Sequence, residues 1–141
     1  MDEKTPIKTR HGELTLEQLA EAQPGMARLM KEIGERYHVL FYAAKAGNWE
    51  LAQHELNVTN SILKTASTLR PKYAHDITSF TQSHLNKIGE KIRSKNWKEF
   101  EAEFSKGIEE ANRFHEKYGY GFIRYVLPKK PPEAFDLASH E

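Results

Sequence analysis

Cysteine is absent from all 141 residues. That excludes structural disulfides, thiolate metal sites, thioether-linked cofactors and cysteine nucleophiles, and leaves the redox compartment unmarked. Long apolar runs are absent too: none approaches the roughly 20 residues that a bilayer-spanning helix needs, so no membrane insertion is expected. There is no excess of charge of one sign. Lys and Arg number 21 against 20 Asp and Glu, a formal net charge of +1. That balance gives no electrostatic footprint for nucleic acid. Gly-rich phosphate loops, His-Glu-x-x-His and serine nucleophile elbows are missing as well, and no catalytic activity is expected.

What is present is helical patterning on a chain long enough for one domain with a real core. Residues 1–13 read as a polar lead-in. Thr15-Leu-Glu-Gln18 is a capping box that opens a short helix, which Pro24-Gly25 ends. A long helix follows from about Met26 to Lys45, with Leu29, Ile33, Tyr37, Leu40 and Phe41 on one stripe, and Gly47 stops it. Asn48 caps a second helix carrying Leu51, Val58, Ile62, Ala66 and Leu69. Pro71 opens a third, where its missing N–H costs nothing. The third stripe is Tyr73, Ile77, Phe80, Leu85, Ile88 and Ile92. Asn96 caps the fourth, with Phe100, Phe104, Ile108 and Ala111 inward, and Gly119 ends it.

The junctions Gly47-Asn48-Trp49 and Lys95-Asn96-Trp97 echo each other and mark two consecutive helical hairpins. Short loops force antiparallel neighbours. The expectation is an all-α, up-down-up-down four-helix bundle over residues 14–127, with a short N-terminal helix. An extended aromatic segment follows the last helix, and a proline-rich tail spans 128–141.

The informative residues interrupt the apolar stripes. Glu55 lies mid-stripe on the second helix, His84 on the third and His115 on the fourth, while His38 sits on the flank of the first. A buried carboxylate costs several kcal/mol unless it is paired or coordinated. One explanation is a hydrogen-bonded polar layer in which Glu55 accepts from an imidazole or a hydroxyl. The other is a metal or cofactor site, with His115, His84, Glu55 and His38 as candidate ligands. These four do not form one cluster, because Glu55 and His115 lie at opposite ends of parallel helices. At its end, His115 would have Met30 and Tyr73 as neighbours, with Asn112 and Phe114 beside it.

Residues 111–123, Ala-Asn-Arg-Phe-His-Glu-Lys-Tyr-Gly-Tyr-Gly-Phe-Ile, have the layout of a Cys-x-x-Cys-His haem-attachment segment with Ala111 and Phe114 at the thiol positions. With His38-Val-Leu-Phe-Tyr-Ala-Ala-Lys-Ala-Gly-Asn48-Trp49, this segment resembles a family of small bacterial four-helix proteins related to cytochrome c′. The resemblance spans about Leu14 to Ile123. It implies a cytochrome c′-like bundle, with His115 as axial ligand and Asn112, Phe114, Met30 and Tyr73 lining a haem pocket. Covalent haem is excluded by the missing thiols, which leaves haem b or a divalent transition metal as the cofactors to consider. The relatives are periplasmic; this chain is expected there if it is a mature form, and in the cytoplasm if Met1 is native.

Three functions follow as expectations. The first is a haemless, non-enzymatic bundle that binds a partner or small ligand. The second is metal or non-covalent haem binding through His115, for electron transfer or sensing. The third is a structural or oligomerisation module, including a homodimer, that associates through a flank formed by Tyr37, Phe41 and Tyr42.

Overall fold

A computed structural model describes residues 4–140. The fold is mostly helical with one small sheet. Strands β1 (Pro6–Thr9) and β2 (Gly12–Thr15) pair antiparallel, with Ile7 opposite Leu14. They are followed by α1 (Leu16–Ala22), α2 (Met26–Lys45), α3 (Trp49–Leu69), α4 (Ala74–Phe80), α5 (Asn86–Arg93) and α6 (Trp97–Lys117). The polar lead-in expected over residues 1–13 thus carries a hairpin, as far as those residues are described. Thr9 Oγ1 donates to the carbonyl of Gly12 and accepts from the amide of His11, which closes the turn locally.

The caps form as their chemistry requires. Thr15 and Gln18 make the reciprocal capping box on α1. Asn48 accepts from the Leu51 amide and Asn96 from the Glu99 amide, which satisfies otherwise orphaned donors. The two echoed junctions are one turn built twice. Gly47 at φ 80° and Lys95 at φ 52° both occupy the left-handed position. Each is followed by an asparagine whose amide bonds back to the carbonyl five residues earlier.

α2 packs along α3, α3 against α4 and α5, and α6 against α5, α4 and α2. Between them lie Leu40, Ala52, Ala66, Ile88, Phe100 and Phe104, all fully buried. A buried Leu, Ile or Phe stabilises the fold by about 1.5–3 kcal/mol. The rings of Phe41, Trp97, Phe100 and Phe104 form a closed cycle of contacts in this core, and Tyr37 joins it at Phe104.

The third helical segment is not one regular helix. Pro71–Tyr73 is a 3-10 turn, and Thr81–Leu85 is a π-turn between α4 and α5. The π-turn holds one residue more than an α-turn would, so Phe80 and Leu85 both face the core across a five-residue step.

After α6 the chain reverses at Gly119, whose φ of 83° lies in the left-handed region that favours glycine, and runs back along α2. The Tyr125 hydroxyl donates to the Gly34 carbonyl and the Tyr42 hydroxyl to the Pro128 carbonyl. Further along, His38 Nε2 pairs with the Lys130 carbonyl and Asn48 Nδ2 with that of Ala138. Residues 122–138 therefore form a strap. The proline-rich tail does not end the fold; it covers one face of it. Tyr37, Phe41 and Tyr42 are buried, which corrects the expectation that they form an exposed flank for oligomerisation.

Candidate functional site

Glu55 is 1 % exposed, as its place on the stripe predicted. Its partner is neither an imidazole nor a hydroxyl. Arg36 Nη1 reaches both carboxylate oxygens at 3.3 Å, from a position on α2 that keeps its own side chain 30 % exposed. The long aliphatic stem lets a charge on the flank of α2 meet a buried carboxylate on α3. Glu32 lies 3.6 Å from the same guanidinium. Thr59, completely buried, returns its hydroxyl to the Glu55 backbone carbonyl. This is an ion pair that ties α2 to α3, and it uses up the carboxylate that a metal would need.

His84 lies in the π-turn, half-buried, with its ring 5.5 Å from that of Phe80. It stands across from Gly107 on α6. A methyl group at Gly107 would touch Ile88, the Tyr37 hydroxyl and the His84 Cβ at 3.7–3.9 Å. Among the described residues the Tyr37 hydroxyl has no hydrogen-bond partner, and burial pushes its pKa well above the ordinary tyrosine value.

His115 corrects the expectation of an inward ligand. It is half-buried at the edge of α6, and its Nδ1 bonds the Ile123 carbonyl at 3.1 Å. The α6 wheel brings it against the returning strap rather than into the interior. Asn112, one turn earlier, is buried and recognises strap backbone at both ends of its amide. Its Nδ2 donates to the Tyr125 carbonyl at 3.1 Å, and its Oδ1 accepts from the Tyr125 amide at 2.8 Å. Phe114 packs into the core edge with its ring 6.4 Å from Phe80. Met30 lies against the core, and Tyr73 meets Tyr118 edge-on at 4.7 Å rather than His115. Asp76 holds this corner, accepting from Lys117 at 2.7 Å and from the Tyr118 hydroxyl. The hydrogen bond from Lys117, then that from Tyr118, lowers the Asp76 carboxyl below its ordinary value.

The four candidate ligands are therefore dispersed among four different partners: Arg36 for Glu55, Phe80 for His84, the Ile123 carbonyl for His115 and the Lys130 carbonyl for His38. Among the described residues, no three His, Asp or Glu side chains lie close enough to hold a metal ion. The residues do not fit a covalent haem, with Ala111 and Phe114 at the anchoring positions, nor a chelated metal.

The feature that sequence reasoning missed is the outer face of the strap's first half. Phe122 is 81 % exposed and Val126 70 %, with Tyr120 and Ile123 near half. Period-two alternation past Arg124 was its signal: Tyr125 and Leu127 pack inward while Val126 faces out. Two shallow hollows lie elsewhere, one between Asn48, Glu50 and the end of the strap, the other between Lys64 on α3 and Thr78 on α4. Among the described residues, no helix is long and apolar enough to cross a membrane. No family model, curated protein or solved structure matches the chain.

Proposed function

We propose that this chain is a non-enzymatic four-helix bundle, with α2, α3, the α4–α5 segment and α6 running up-down-up-down, that has lost its haem and docks a protein partner on residues 120–126. The observation carrying this reading is a pinned segment whose apolar side chains face water. His115, Asn112 and Gly34 hold Ile123 and Tyr125 in place. Phe122 and Val126 are nevertheless left almost bare. Apolar groups presented on rigid backbone lose little entropy when they bind, which is the usual property of a docking surface. The hollows are open and partly polar, which favours a protein over a small ligand.

A photo-crosslinking residue in place of Phe122, irradiated in the producing cell, tests this reading. A discrete protein adduct is expected, and its absence would overturn the docking role.

A second reading, non-covalent haem on His115, is supported by the Nδ1 contact to the Ile123 carbonyl. Such a bond orients the ring and leaves Nε2 as the ligating atom. A haemin titration tests it: a Soret shift lost in His115→Ala is expected, and an identical titration in both proteins refutes it.

A further inference from the structure

Over residues 123–126 the backbone of the strap is satisfied along one edge. Asn112 on α6 bonds both the amide and the carbonyl of Tyr125, and His115 bonds the carbonyl of Ile123. That is the pattern one strand offers another, in which a single extended residue presents its N–H and C=O to the same side. Arg124 and Val126 alternate with these residues, so their N–H and C=O groups point to the opposite edge. Among the described residues neither makes a backbone hydrogen bond. Backbone groups without a protein partner are as a rule hydrated rather than buried, which places this edge in water. Pro128 after Leu127 favours an extended backbone there as well. The segment is an open strand edge, held in a fixed register from its other side.

The side chains beside that edge read apolar, basic, apolar, since Phe122, Arg124 and Val126 all face outward. No Asp or Glu stands between Glu116 and Glu133 in the sequence. Glu116 meets the segment at Gly121, in the turn. Arg124, Lys129 and Lys130 make no ion pair among the described residues. Opposite charges facing each other across a strand pair attract, and like charges repel. Two copies of this chain joined edge to edge would set their cations against one another. Cations and proline also blunt an edge against neutral strands, but an edge that is only to be blunted has no use for bare Phe122 and Val126 beside it. The same cations select an acidic strand.

Building on the docking reading above, we propose that the partner presents an extended acidic segment, which adds to the outer edge of the strap as a further strand. Its backbone bonds the N–H and C=O groups of Arg124 and Val126. On its outward face a carboxylate lies beside Arg124, and apolar residues two positions to either side cover Phe122 and Val126. Lys129 and Lys130 attract further acidic residues at one end.

Random linear peptides displayed on phage, selected against the intact protein, test this. The expected winners carry an acidic residue flanked at every second position by apolar ones. Made synthetically and followed by fluorescence anisotropy, such a peptide should bind about tenfold more weakly when Arg124→Glu, Lys129→Glu and Lys130→Glu are combined. If the triple change disturbs the circular dichroism, Arg124→Gln alone carries the comparison. N-methylation along the peptide backbone needs no variant at all. It should abolish binding at alternate positions and spare it at those between, because one edge of an added strand faces the strap. No enrichment, enrichment of basic or helix-periodic peptides, or indifference to N-methylation overturns the acidic strand. So does binding to phosphatidylserine vesicles with no peptide selected, which would assign the segment to a lipid surface. If the peptides fail while the crosslinker at position 122 still captures a protein, the docking reading survives alone. If both fail, both readings fall.

Discussion

Replacing Asn112 with alanine should release the strap without unfolding the helices. The Asn112 amide makes two hydrogen bonds to Tyr125, one through each end, from a site that is 7 % exposed. Each such bond contributes about 1 kcal/mol net, so the variant should loosen the strap by about 2 kcal/mol. That corresponds to roughly a 30-fold rise in its opening equilibrium. The loss is local, because Phe100, Phe104 and Leu40 do not depend on the strap for their mutual contacts. Amide hydrogen exchange resolves this: protection should fall about 30-fold at Tyr125 while the amides of α3 change little. Asn112→Asp keeps the acceptor for the Tyr125 amide but sets a buried, unpaired carboxylate oxygen against the Tyr125 carbonyl, and should loosen the strap at least as much as Asn112→Ala. Unchanged protection at Tyr125 in Asn112→Ala would refute the claim that this residue anchors the strap.

Arg36→Ala leaves the Glu55 carboxylate buried and unpaired, and should destabilise the protein by about 3 kcal/mol, the lower end for such pairs because Arg36 is partly exposed. In denaturant unfolding, Arg36→Leu with Glu55→Leu together should cost less than the sum of the single changes; strict additivity would contradict a direct ion pair. Gly34→Val should dislodge Tyr125, since even a Cβ at Gly34 lies 3.1 Å from the Tyr125 ring. The expected signature is exchange of the strap amides with α2 still helical; a strap as protected as in the parent protein would count against this contact. Burial raises Tyr125 from 10.0 to about 12. A neutral group held this way stabilises fully below pH 10.0 and loses that contribution as the pH rises towards 12, so the strap should detach in that alkaline window. Tyrosinate absorbance should show several late-titrating rings, one of which disappears in Tyr125→Phe; an unchanged number of late rings in that variant would refute it.

Local chemistry was the legible part of this chain. Thr15, Asn48 and Asn96 are caps because a short polar side chain before an apolar period has few other uses, and all three cap in the structure. The burial of Glu55 followed from its angle on the helix. Its partner did not, because Arg36 lies off the stripe of α2 and reaches it with a flexible stem whose direction no wheel encodes. The hairpin escaped notice because each four-residue strand carries one large apolar residue, Ile7 or Leu14, too few to show alternation. The inward placement of His115 failed for a different reason. A wheel assigns a side, and the half-buried edge of α6 acquired its neighbour only when the chain returned from Gly119. The π-turn did leave a mark: the third stripe steps by five from Phe80 to Leu85, which no α-helix accommodates on one face.

That five-residue step has a consequence for how the chain can vary in length. The π-turn carries one surplus residue, and Gln82 and Ser83 within it are exposed. Removing one of them would bring the flanking core residues to a four-residue spacing, which an ordinary α-helix satisfies with its full set of backbone bonds. The core would keep its membership, while the setting of His84 against Phe80 and Gly107 would change. The third helical segment is thus a place where a deletion can be neutral for folding, and whatever such a deletion abolishes belongs to that corner rather than to the frame.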